Sequence, residues 1–109
     1  MKKQSEAAFQ KQVIDLARIY GWIVHHTFQA KVGDAYMTPV QGQAGFPDLV
    51  LAHHRKGVLF VELKTQTGRL SANQQLWRDT LIDAGASWHV WRPDDLPFIA
   101  KRLADLGAS

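Results

Sequence analysis

An α/β domain is the fold class this sequence predicts. Helix-period and strand-period segments alternate along the chain in the order α-β-β-β-α-β-α, and glycines and capping residues fall at the joints between them. Its 109 residues suffice for one hydrophobic core and are too few for two, so residues 1–109 are read as a single domain. Hydrophobic residues make up 46% and charged residues 21%, a balance that supports a packed core and argues against disorder.

The first helix is read from Ser5 to Tyr20, where Phe9, Val13, Leu16, Ala17 and Tyr20 recur at three- and four-residue steps. Ser5 is placed to cap it and Gly21 to end it. Trp22 to Phe28, rich in aromatic and β-branched residues, reads as a strand. Gln29 to Phe46 shows no sustained period and contains Gly33, Pro39, Gly42 and Gly45, so a long loop is expected, of the kind that usually carries function. Asp48–Ala52 and Val58–Thr65 are strand patterns on either side of His53-His54-Arg55-Lys56-Gly57, which predicts an antiparallel hairpin. A second helix follows from Ala72 to Ala84 between Ser71 and Gly85, then a strand from Trp88 to Trp91. Asp94, Asp95 and Pro97 open a last helix carrying Leu96, Ile99, Leu103 and Leu106.

The chain has no cysteine, which excludes disulfides and thiolate metal sites and fits a reducing compartment. No apolar stretch approaches the roughly 20 residues of a membrane span, and the N-terminus lacks a signal-type apolar segment. A cytoplasmic protein without a membrane partner is expected. A net charge of +3 and a pI of about 9.5 suit a polyanionic partner without requiring one.

Side chains alternate along a strand, so Val58, Phe60, Glu62 and Lys64 share one face while Leu59, Val61 and Leu63 take the other. A strand apolar on both faces is normally central, where a carboxylate and an ammonium are costly unless paired or bound to metal. A turn near Arg55 or Lys56 sets Asp48 roughly opposite Glu62, about 5 Å away. Two carboxylates that close repel unless a divalent cation lies between them. Mg²⁺ or Mn²⁺ suits such oxygen donors, and the Leu63 carbonyl is placed to add another.

Gly45-Phe46-Pro47-Asp48, Glu62-Leu63-Lys64, and Gln74 with Trp77 three residues on together resemble the motif of the PD-(D/E)xK nucleases, and more narrowly the VRR-NUC branch. The resemblance runs from about Ser5 to Arg92. It implies a restriction-endonuclease-like core with a mixed central sheet flanked by helices, and metal-dependent hydrolysis of DNA leaving 5′-phosphate and 3′-hydroxyl ends. It also implies that Asp48 and Glu62 hold the metal, that Lys64 orients or deprotonates the attacking water, and that Gln74 supports the site. Glu6, one turn before Phe9 and Gln10, is a further candidate acid. Stand-alone members look like junction-resolving enzymes, which implies branched DNA such as a Holliday junction and a homodimer. A binding module of the same fold without turnover is the alternative.

Each residue also has a plainer reading. Ser71-x-x-Gln74 is a capping box, and Glu6 suits a helix N-terminus electrostatically, so the sequence leaves both roles open for each. His25-His26 and His53-His54 match no zinc spacing. Trp77, Trp88 and Trp91 read as core, with one of them a candidate for a dimer interface. Lys31, Arg55, Lys56 and Arg69 are candidate phosphate contacts in loops and turns.

Overall fold

A computed structural model of the chain describes residues 5–27, 30–32, 35–37 and 41–105. Helix α1 spans Glu6–Ile19, and Ser5 Oγ accepts the Ala8 N–H at 3.1 Å as its cap. The helix buries Phe9, Val13, Ile14 and Ala17. Tyr20, expected on that face, stands past the last turn with its ring under the Lys56 ammonium. Gly21, at φ +85°, then reverses the chain, and Trp22 N–H donates to the Ala17 carbonyl at 3.0 Å.

The main sheet has the order β1-β4-β5-β6, built from β1 (Ile23–His26), β4 (Leu49–His53), β5 (Gly57–Leu63) and β6 (Ser87–Trp91). β4 pairs antiparallel with both β1 and β5, and β5 pairs parallel with β6, so the sheet is mixed. The parallel pair needs a crossover, and α2 (Ala72–Asp83) supplies it. A 3₁₀ turn at Pro93–Asp95 leads into α3, Leu96–Ala104. Leu49, Leu51, Leu59, Val61, Leu63 and Trp91 share the sheet face that packs on Phe9, Val13 and Ala17 of α1 and on Ile99 and Leu103 of α3. None of the described helices is long and apolar enough to cross a membrane.

The segment expected to be a long loop holds a second, two-stranded antiparallel sheet, β2 (Ala30–Val32) with β3 (Ala35–Met37). Strands of three residues are too short to display a period, which is why the pattern conceals them. The first strand is shorter than expected because Trp22 turns into the core, its indole donating to the Leu103 carbonyl at 3.0 Å. Phe28 and Leu106 lie outside the described residues.

Candidate active site

The hairpin register fixes the site. Leu49 pairs with Val61, so one step further along both strands Asp48 faces Glu62. Pro47 has no N–H to continue a ladder, and at this end the Asp48 carboxylate takes over as acceptor, receiving the Leu63 N–H on Oδ2 at 2.9 Å. Gly45, at φ +94°, lets the preceding loop lie against the first turn of α2: a Cβ there would meet the Asn73 carbonyl carbon at 2.5 Å. Phe46 then packs edge-on against Phe60 and Trp77, and the Trp77 indole donates to the Gln43 carbonyl at 3.2 Å. The glycine of the motif was legible in sequence; the docking of Gln43 and Phe46 on α2 was not, since it joins segments some 30 residues apart.

Glu62 is 1% exposed. Its Oε1 accepts from Gln74 Nε2 at 3.1 Å, and its Oε2, when ionised, has no donor among the described residues. Burial, then a hydrogen bond to Asp48 and the negative charges of Asp48 and Glu6, push its carboxyl up to about 9, with Lys64 opposing. Without a cation the Glu62 carboxyl therefore keeps its proton at neutral pH. A buried oxygen lacking a donor, beside a second carboxylate, suits a hard divalent cation. Among the described residues no group of three His, Cys, Asp or Glu side chains gathers to hold a metal, so the donor set rests on two carboxylates and a backbone carbonyl. The Leu63 side chain is buried in the core and its N–H is taken by Asp48, leaving its carbonyl to contribute.

Gln74 closes the capping box and also reaches Glu62. Its Oε1 accepts the Ser71 N–H at 2.9 Å while Ser71 Oγ accepts the Gln74 N–H at 3.2 Å, completing the capping box. Because the carbonyl end of the amide is fixed on Ser71, its NH₂ end is the one turned to Glu62. Lys64 leaves the β4–β5 ladder, its N–H donating to the Trp91 carbonyl at 3.0 Å, and its charge acts on both Glu62 and Glu6. Glu6 is exposed as a residue, yet its carboxyl is partly desolvated and is raised by that burial and then by Asp48. Among the described residues no hydrogen bond joins it to Asp48 or Glu62.

The expected phosphate contacts scatter. Arg69 is exposed in the loop between Lys64 and α2. Arg55 is exposed at the hairpin turn, roughly 20 Å from Glu62 at a rise of about 3.3 Å per residue. Lys56 is engaged elsewhere: its Nζ donates to the Leu103 and Ala104 carbonyls at 2.7 and 3.3 Å, capping α3. Lys31 lies in β2, with its side chain outside the described residues. Of the tryptophans, Trp91 is buried, Trp77 is half-buried and tied to Gln43, and Trp88 is half-buried.

An acid pair facing across two central strands, followed by a lysine on a mixed sheet flanked by helices, is the arrangement of a PD-(D/E)xK nuclease domain. The chain belongs to the VRR-NUC domain family, whose sequence profile matches residues 33–94, the span that holds Asp48, Glu62, Lys64 and Gln74. A solved structure described as a VRR_NUC domain protein shares the fold, with a TM-score of 0.66 over 97% of this chain and 93% of that one at 19% identity. None of the curated proteins matches the chain.

Proposed function

We propose that this nuclease domain is a divalent-metal-dependent DNA endonuclease in which Asp48, Glu62 and the Leu63 carbonyl hold Mg²⁺ or Mn²⁺. The observation that carries the reading is Glu62, buried beside Asp48 with one oxygen lacking a donor. When bound, the cation stabilises the charge growing on the phosphate and lowers the pKa of the attacking water. Lys64 orients that water and holds positive charge beside the phosphate. Gln74 fixes the Glu62 carboxylate through Oε1, leaving Oε2 for the cation. Water oxygen adds to phosphorus, the P–O3′ bond breaks, and the water's proton is balanced by the one O3′ takes up. The ends are a 5′-phosphate and a 3′-hydroxyl. Glu6 acts from the rim through its charge on the acid pair.

We further propose that the working form is a two-fold dimer acting on branched DNA in the cytoplasm. A domain with one acid pair cuts one strand per encounter, and paired cuts need two such centres in symmetry. Cleavage of linear, flapped and four-way DNA, with Mg²⁺, Mn²⁺ or EDTA, tests the reading. Metal-dependent cleavage supports it. Binding without cleavage under every metal condition favours the binding-module alternative.

A further inference from the structure

Lys64 stands one residue past the end of β5, so the β4 ladder does not hold it. Its N–H is held by the Trp91 carbonyl at the end of β6, and the turn after it is held by the next residue, Arg92. One guanidinium nitrogen of Arg92, Nη1, donates to the Thr65 carbonyl at 2.8 Å and the Gly68 carbonyl at 2.7 Å, with the Gln66 carbonyl at 3.4 Å. Beside it the Asp94 N–H donates to Gln66 Oε1 at 3.1 Å. The turn so gathered is tight. A Cβ at Gly68 would lie 2.9 Å from Thr65 Oγ1 and 3.5 Å from Lys64 Cδ, so the lysine stem runs against the turn. Arg92 is itself fixed, because its N–H donates to Asp95 Oδ2 at 2.8 Å as the 3₁₀ turn begins.

Resting on the nuclease reading above, we propose that Arg92 is a positioning residue for Lys64: by drawing the carbonyls of the 65–68 turn together from β6, it sets the lysine against the acid pair. The same turn leads on to Ser71, so the clamp also fixes where α2 starts and where Gln74 reaches Glu62. Three carbonyl oxygens converging on one point repel one another unless a donor of full positive charge sits between them. An apolar residue at position 92 leaves them unsatisfied, and the turn opens.

The test compares Arg92→Met, which keeps the stem without donors, with Arg92→Lys, which returns a single donor nitrogen. Each is made in the full chain and assayed for cleavage of DNA with Mg²⁺, for DNA binding with EDTA, and for amide hydrogen exchange. In Arg92→Met, kcat is expected to fall about tenfold or more, the scale of a misplaced catalytic group. KM and DNA affinity stay within about twofold of wild type, and the amides of residues 65–68 exchange faster while those of β4 do not. Arg92→Lys recovers most of kcat. Unchanged exchange in the turn overturns the proposal whether or not the protein cleaves DNA, and so does kcat within twofold of wild type in Arg92→Met. A loss of DNA affinity as large as the loss of kcat also overturns it, because the guanidinium would then be touching phosphate. Failure of the wild type to cleave under any metal condition, with the exchange result intact, overturns the nuclease reading alone.

Discussion

Among the described residues, Glu62 is the buried charged side chain and the one whose carboxyl is pushed furthest. In EDTA, the folded protein keeps this carboxyl protonated up to about pH 9, whereas the unfolded chain releases the proton near the ordinary value of 4.5. Between those values the folded state binds more protons than the unfolded one, so this group makes stability fall as pH rises through that window. Glu62→Gln is therefore expected to be more stable than wild type in EDTA at pH 8, by at least about 1 kcal/mol or some 4 °C in Tm, and to converge with it below pH 4.5. Mg²⁺ should then raise the Tm of wild type and not of the variant. Thermal melts across pH decide it, and parallel curves for the two proteins would contradict the burial cause. In activity, Glu62→Gln and Asp48→Asn should each abolish cleavage while DNA binding holds or tightens, because a ligand is lost and negative charge facing phosphate is reduced. Cleavage by either variant within about tenfold of wild type would remove that residue from the metal site. The acid pair was legible in sequence because strand alternation and hairpin symmetry are local rules. The Glu62–Gln74 bond was not, since nothing in a capping box says which way the spare amide nitrogen points.

At the scale of elements, the site is a meeting of three strand or helix ends, and α2 is the one whose start matters. Gln74→Glu keeps an oxygen for the Ser71 N–H but replaces the donor facing Glu62 with another acid. Activity should fall sharply with Tm nearly unchanged, whereas a residue that only capped the helix would cost about 1 kcal/mol or less and no more activity than that. Preserved cleavage by well-folded Gln74→Ala would end its role in the site. Gly45→Ala tests the loop on the other side of α2. The added methyl meets the Asn73 backbone at a positive φ, so the loop must withdraw. A loss of about 1–3 kcal/mol in denaturant unfolding is expected, with reduced cleavage because Phe46, Pro47 and Asp48 follow directly. The helices and the central hairpin announced themselves through period and caps. The β2–β3 pair did not, for three-residue strands give too few alternations to stand out from a glycine-punctuated loop.

The β4–β5 hairpin places the acid pair at one end and Arg55 at the other. Lys56, which sequence alone offered to phosphate, caps α3, while of the tryptophans Trp91 is in the core, Trp77 is tied to Gln43 and Trp88 stays half-buried. Apolar surface open to self-association includes Ile23 at 73% and Phe98 at 61% exposure, the latter off the Leu96, Ile99 and Leu103 face of α3. A two-fold pairing would supply the second acid pair that paired cuts require. The expected outcome is a dimer that cuts four-way DNA faster than linear duplex at matched salt. Light scattering of the free and DNA-bound protein measures the first half, and cleavage rates on the two substrates measure the second. Lowering the salt should strengthen binding to both substrates together, because phosphate contacts read charge and not branching. The preference for the junction should therefore persist across salt if the dimer geometry sets it. A monomer in both states with equal rates on both substrates would leave a general nuclease in place of a junction enzyme.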